Sequence, residues 1–241
     1  MLQTIRSLAY LLGGVVFILI GAILVIPVFF SKKSVEILIE IWIDANLIWL
    51  KYTCNLTYKV TGSENIPVNS DGKQAAFIIL SNHQSAWETI ALPKVFNFPI
   101  AWVLKKGLLW VPFFGWGIAS TKPIAINRSS GKKAIEQLKT LGKQRLSENS
   151  RVLIFPEGTR IPHGKLGKLK LGGSVLGEYS KYPIVPVVHN AGLYWPKRGI
   201  VKHPGIIKVE VGKPIETKGK TANEINAEVK QWMTEALARI S

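Results

Sequence analysis

Ile78-Ile79-Leu80-Ser81-Asn82-His83-Gln84-Ser85-Ala86-Trp87-Glu88 reads as the end of a strand, a short turn and the start of a helix. The aliphatic run suits a strand buried on both faces. Ser81-Asn82 ends it, and Ser85 followed three residues later by Glu88 forms a capping box, with Ser85 as the N-cap. Strand, turn and helix in this order build an α/β sheet, whose functional sites gather at the carboxyl ends of the strands.

The same grammar continues on both sides of that stretch. Strands are expected at Thr57–Thr61, Ala75–Leu80, Ile100–Leu104, Pro123–Ile126, Arg151–Phe155, Ile184–Val188 and Ile206–Val211. Helices are expected at Ser85–Lys94, Leu108–Ala119, Gly131–Ser147, Gly167–Ser180 and Thr221–Ile240. Alternation of short apolar runs with amphipathic stretches predicts an α/β domain over residues 59–241, with a mostly parallel central sheet flanked by helices. No internal repeat or low-complexity linker interrupts it.

Residues 1–58 differ. Leu8 to Phe30 is a run of 23 residues without a charged side chain, preceded by Arg6 and followed by Lys32 and Lys33. As a helix it would be about 35 Å long, enough to cross a bilayer core. It is too long for the apolar part of a signal peptide, and no small-residue cleavage pattern comes after it. Gly13, Gly14 and Gly21 would let a second helix pack closely. From Ser34 to about Tyr58, Glu36, Glu40 and Asp44 form one acidic stripe on an otherwise apolar helix, with Trp42, Trp49 and Tyr52 suited to a water–lipid boundary. The expectation is a membrane-embedded helical hairpin; an ordinary core helix is the other reading of the second segment.

Lys and Arg total 31 against 15 Asp and Glu, a formal charge of +16. Such an excess favours anionic partners. The basic residues are interleaved with Gly and apolar residues, with no zinc-finger or RNA-binding pattern, so a phospholipid membrane is a better partner than nucleic acid. The single Cys54 excludes an intrachain disulfide and fits a reducing compartment. Four histidines without metal-ligand spacing predict no metal site.

Two stretches carry chemistry. His83 and Glu88 are five residues apart, which on one continuous helix would separate them by roughly 140°. They meet only if His83 lies in the turn and Glu88 in the first helical turn. The pair then forms a dyad: His83 takes a proton from an acceptor hydroxyl, and Glu88 holds the imidazole tautomer and stabilises its cation. Taken alone, the pair also reads as a helix cap beside a loop histidine. No Gly-x-Ser-x-Gly elbow is present, so direct attack by a substrate alcohol is the simpler mechanism. The second stretch, Phe155-Pro156-Glu157-Gly158-Thr159-Arg160, sets a carboxylate and an arginine on a glycine turn after a strand. Arg160 can grip phosphate with two parallel bonds, whereas Lys105 offers a point charge. Trp110, Phe113, Phe114 and Trp116 read as core packing or as an apolar wall for an acyl chain. Lys165, Lys168 and Lys170 come after Arg160 in a glycine-containing basic loop. His163, His189 and His203 show no partner and read as structural or surface residues.

Asn82-His83-x-x-x-x-Glu88 and Phe155-Pro156-Glu157-Gly158-Thr159-Arg160 resemble the first and third blocks of the bacterial 1-acylglycerol-3-phosphate (lysophosphatidic acid, PlsC-type) acyltransferases. Lys105-Lys106-Gly107-Leu108-Leu109-Trp110-Val111-Pro112 through Gly115, with Ile126-Asn127-Arg128, resembles the second block. Ile184-Val185-Pro186-Val187-Val188 resembles the fourth. Order and spacing agree over about residues 75–192. The resemblance implies a glycerophosphate acyltransferase-like fold. It implies transfer of a fatty acyl group from acyl-acyl carrier protein or acyl-coenzyme A to the free hydroxyl of lysophosphatidic acid, giving phosphatidic acid, with no cofactor beyond the thioester. It implies His83 as base and Glu88 as its partner, Lys105 and Arg160 on the acceptor phosphate, and Arg128, Glu157, Gly158 and Thr159 around the glycerol-phosphate pocket. With the hairpin, it implies the bacterial inner membrane, the catalytic domain facing the cytoplasm.

The chain departs from that pattern at three positions. Glu88 stands where the family usually has Asp, and Gly107 and Asn127 replace an acidic pair. A different lyso-lipid or lipid A precursor as acceptor therefore stays open, as does a non-catalytic module for anionic lipid.

Overall fold

Each of the seven apolar runs forms a strand. The computed structural model describes every residue except 29, 98–99, 111–114, 116–117, 120, 128–129 and 241. The strands are β1 (Leu56–Thr61), β2 (Ile78–Ser81), β3 (Ile100–Lys105), β4 (Ile124–Ile126), β5 (Arg151–Ile154), β6 (Ile184–His189) and β7 (Gly205–Val211). They lie in one sheet, ordered β1-β7-β6-β2-β5-β3-β4. All neighbours run parallel except β6 and β7. The carboxyl ends of β6, β2, β5, β3 and β4 thus share one edge of the sheet.

Side-chain alternation along the central strands divides the core in two. Ile78, Val152 and Ile184 are register partners and share one face. Ile79, Leu153 and Val185 are the partners one residue on, and share the other. The first face packs against α4 (Lys132–Ser147), α5 (Gly172–Ser180) and α7 (Ala222–Ile240) through Leu138, Leu146, Leu176, Val229 and Met233. The second packs against α3 (Trp87–Val95) through Trp87, Ala91 and Leu92, and against Leu50 and Cys54 of α2 (Lys32–Cys54). A one-residue register slip would turn each strand's buried set to the wrong layer. At the amino end of β5 the buried Arg151 guanidinium donates to the carbonyls of Phe96 and Asn97, at the carboxyl end of α3. Its burial pulls its pKa down to about 10.

The N-terminal run forms α1 (Leu2–Val25), and the segment Leu2–Val28 is long and apolar enough to cross a membrane. α1 and α2 pair as a hairpin. A Cβ on Gly13 would lie 2.1 Å from Nε1 of Trp49, so the indole occupies the space that glycine leaves. That indole N–H donates to the Ala9 carbonyl at 3.3 Å. Gly21 approaches Trp42 more loosely, and nothing among the described residues lies within 4 Å of a Cβ at Gly14. Lys202 clasps the base of α1 to the α/β domain. Its N–H donates to Ser7 Oγ at 2.9 Å, and its ammonium lies 5.2 Å from the Tyr10 ring and 4.7 Å from the Trp195 ring. The acidic stripe of α2 is used in part: Asp44 pairs with Lys94 of α3 at 2.9 Å. α2 passes into β1 through Asn55, which is in the left-handed region at φ 51°.

Three expected elements differ. The stretch expected as a helix from Leu108 forms a 3-10 turn over Lys106–Trp110; most of residues 111–120 lie outside the described residues. α5 starts at Gly172, not Gly167, and the Gly167 N–H is bound to the Glu157 carboxylate. α3 starts at Trp87 with Ala86 as N-cap, one residue later than expected, and the Ser85 hydroxyl still caps this end by accepting the Trp87 N–H. A further short helix, α6 (Ala191–Tyr194), lies just beyond β6.

Candidate active site

β2 delivers His83 beyond its carboxyl end, and α3 carries Glu88 in its first turn. His83 Nδ1 lies 2.5 Å from Glu88 Oε1. Glu88 has no exposed side-chain surface, whereas 17% of His83 is exposed. The same carboxylate accepts the N–H groups of Gln84 and Ser85 at 2.9–3.0 Å. Its reach back to Ser85 is half of the expected capping box, so the helix cap and the histidine contact are one arrangement. With a carboxylate on Nδ1, that nitrogen carries the proton and Nε2 keeps its lone pair. The imidazole stacks on Phe155 with centroids 4.1 Å apart and planes 14° apart. Burial by itself raises the Glu88 carboxyl. The positive N–H edge of His189, the hydrogen bond to His83 and the Ser85 N–H outweigh it and hold the group below the usual carboxylate range.

The turn after β5 brings Glu157 to the same place. Glu157 Oε2 accepts the N–H of His83 at 2.6 Å, and Oε1 accepts the N–H of Gly167 at 2.8 Å. The His83 carbonyl accepts the N–H of Ile161 at 2.7 Å. Glu157 is itself buried, and burial raises its pKa despite these two bonds. Both of its oxygens accept main-chain N–H groups, so Glu157 holds the histidine loop. Gly158 is left-handed at φ 71°, which lets the chain turn sharply under the Lys170 side chain. Thr159 and Arg160 continue the same turn. Lys105 stands exposed at the end of β3, next to β5, on the same sheet edge. Arg128, Phe113, Phe114 and Trp116 lie outside the described residues, and Trp110 is 81% exposed.

Two residues were missed in the sequence. Lys197, in the loop after α6, places its ammonium 3.0 Å from the Arg160 carbonyl and 3.4 Å from Thr159 Oγ1. A lysine in a loop 37 residues away carries no pattern that points there. His189, expected to be partnerless, is fully buried at the end of β6, its Nε2 3.7 Å from Glu88 Oε2.

A base with an oriented tautomer, its buried carboxylate and nearby cations can deprotonate an alcohol carried on an anion. Residues 57–190 match the family described as Acyltransferase. The 1-acyl-sn-glycerol-3-phosphate acyltransferase of Pseudomonas aeruginosa is 45% identical over 80% of this chain and 74% of its own length. The protein of the same name from Saccharomyces cerevisiae is 33% identical over 83% of this chain and 66% of its own. The crystal structure of the lysophosphatidic acid acyltransferase PlsC from Thermotoga maritima superposes with a TM-score of 0.75 at 23% identity, covering 98% of this chain and 94% of that one. It shares the fold.

Proposed function

The chain belongs to the acyltransferase family, and we propose that it moves a fatty acyl group from an acyl thioester to the sn-2 hydroxyl of lysophosphatidic acid, giving phosphatidic acid for phospholipid synthesis. The observation that carries this reading is the His83–Glu88 contact of 2.5 Å at a sheet edge shared with Arg160 and Lys105. His83 Nε2 takes the hydroxyl proton as the oxygen attacks the thioester carbonyl carbon. Glu88 stabilises the imidazolium that forms. The tetrahedral oxyanion then collapses, the C–S bond breaks, and the imidazolium returns its proton to the departing thiolate. Arg160, Lys105 and Lys197 form the cationic wall for the acceptor phosphate. Acyl carrier protein and coenzyme A both present the required thioester.

The hairpin supports a membrane-associated enzyme. The apolar surface of α1 favours lipid, and the +16 charge favours an anionic leaflet. The bacterial inner membrane, with the α/β domain on the cytoplasmic side, satisfies both. Gly107 and Asn127, which replace an acidic pair in the second block, favour testing further lyso-lipids as acceptors. The test is direct: detergent-purified full chain, lysophosphatidic acid and each thioester in turn should give phosphatidic acid and one free thiol per turnover. No phosphatidic acid with either donor would overturn the reading.

A further inference from the structure

His189 is a buried imidazole that the proton transfer above does not use. Its two nitrogens have separate partners. Nδ1 accepts the N–H of Ala191 at 3.3 Å, so Nε2 carries the hydrogen and donates to the Asn82 carbonyl at 3.0 Å. Asn82 answers with its side chain: Nδ2 donates to the His189 carbonyl at 2.9 Å, and Oδ1 accepts the His189 N–H at 3.0 Å. Three hydrogen bonds thus tie the residue before His83 to the end of β6. The same nitrogen, His189 Nε2, is 3.7 Å from Glu88 Oε2, an electrostatic contact too long for a hydrogen bond. That oxygen's hydrogen-bond donor is the Ser85 N–H. The Trp87 ring meets the imidazole edge-on at 5.8 Å.

We propose that His189 is a positioning residue of the acyl transfer, fixing the His83 loop through Asn82 and backing the Glu88 carboxylate with a neutral N–H dipole. The proposal rests on the reading of His83 and Glu88 as the reacting pair. Neutrality matters to it. A neutral ring leaves the carboxylate's charge to the imidazolium at His83, whereas a second cation would compete for it. Burial lowers the His189 pKa, in keeping with the neutral tautomer that its bonds require. The titratable groups facing the ring are Glu88 from α3 and His83 from the loop after β2. Beside it in the sheet β7 presents the apolar Val209, its register partner.

The test compares H189L with H189Q in the full chain. Leucine fills the space without donor or acceptor, while glutamine can offer both. H189L should lower kcat about tenfold or more and leave the acceptor KM within about twofold, because the defect lies in the base and not in phosphate binding. Loss of the dipole beside Glu88 should also move the acid limb of the kcat/KM profile to higher pH, and H189Q should restore most of both. A readout independent of turnover is a double-mutant cycle of H189L with E88Q in thermal unfolding, where the two should be non-additive. If H189L fails to fold, H189Q carries the test and must stay within a few-fold of wild type. Unchanged kcat and pH profile in folded H189L, or additivity in the cycle, would sink the inference. Absence of wild-type turnover combined with strong coupling would instead sink the proposed reaction and leave the positioning intact.

Discussion

Glu157 accepts the main-chain N–H of His83 at 2.6 Å, across 74 residues of sequence. Its other oxygen takes the N–H of Gly167, so one carboxylate pins the histidine loop and the basic loop together. Glutamine at this position presents an NH2 group to one of those two donors. A buried N–H without an acceptor costs about 1–3 kcal/mol. Glu157→Gln should therefore lower the melting temperature by several degrees and reduce kcat at least tenfold, with a smaller change in acceptor KM. Steady-state kinetics and thermal unfolding of the purified variant check it; wild-type kcat would show that the His83 loop holds itself.

The two buried carboxylates should affect stability with opposite signs as pH changes. Glu88 has its pKa lowered by folding. Its contribution is therefore fully present above the ordinary glutamate value and is lost as pH falls through the folded value. Glu157 has its pKa raised, so its contribution is present below the ordinary value and is lost as pH rises through the folded value. Melting curves between about pH 3 and pH 7, which bracket the ordinary carboxylate range, should show the gap between wild type and Glu88→Gln shrinking toward acid. For Glu157→Gln the linked part of the gap should change in the opposite direction. Parallel curves for both variants would remove the linkage.

His83 and Glu88 also give a substitution order. His83→Ala should abolish turnover in a folded protein. Glu88→Asp keeps the charge on a shorter stem but must still span to Nδ1 and to the Ser85 N–H. Glu88→Asp should therefore retain more activity than Glu88→Gln, which loses the charge that stabilises the imidazolium. Initial rates of phosphatidic acid formation decide the order, and equal rates for the two would deny Glu88 its electrostatic role.

The strands were legible because burial on both faces leaves long aliphatic runs, such as Ile78-Ile79-Leu80 and Ile184-Val185, that little else explains. The His83–Glu88 contact was legible because both partners lie within one short strand-turn-helix segment. Glu157 was visible as a residue but its contacts were not, since its partners are backbone N–H groups and any residue type supplies one. His189 left no signal because its partners, Asn82 and Glu88, are over a hundred residues away in sequence on adjoining elements.

Arg160 and Lys197 should separate by size of effect. A charge-assisted bond to phosphate is worth about 1.5–3 kcal/mol, so Arg160→Ala should raise the acceptor KM roughly 10- to 100-fold. Arg160→Lys should recover part of that, because a point charge replaces a two-pronged contact. Lys197 is exposed, and Lys197→Ala should raise KM only a few-fold. Both effects should vanish with an acceptor that lacks the phosphate. An unchanged KM in Arg160→Ala would remove Arg160 from the acceptor site.

The hairpin offers a paired test at adjacent residues. A methyl group at Gly13 must displace the Trp49 indole, which then loses its bond to the Ala9 carbonyl and its edge contact with Phe17 at 6.4 Å. Among the described residues a methyl group at Gly14 meets nothing within 4 Å, and alanine is the better helix former by about 1 kcal/mol. Gly13→Ala should lower the melting temperature in detergent by several degrees and reduce the fraction recovered with phospholipid vesicles, while Gly14→Ala should match or exceed wild type in both. Each kcal/mol corresponds to about 2–4 °C for a chain of this size, so the difference is measurable. Equal melting temperatures for the two variants would mean that α1 and α2 do not pack through Gly13 and Trp49.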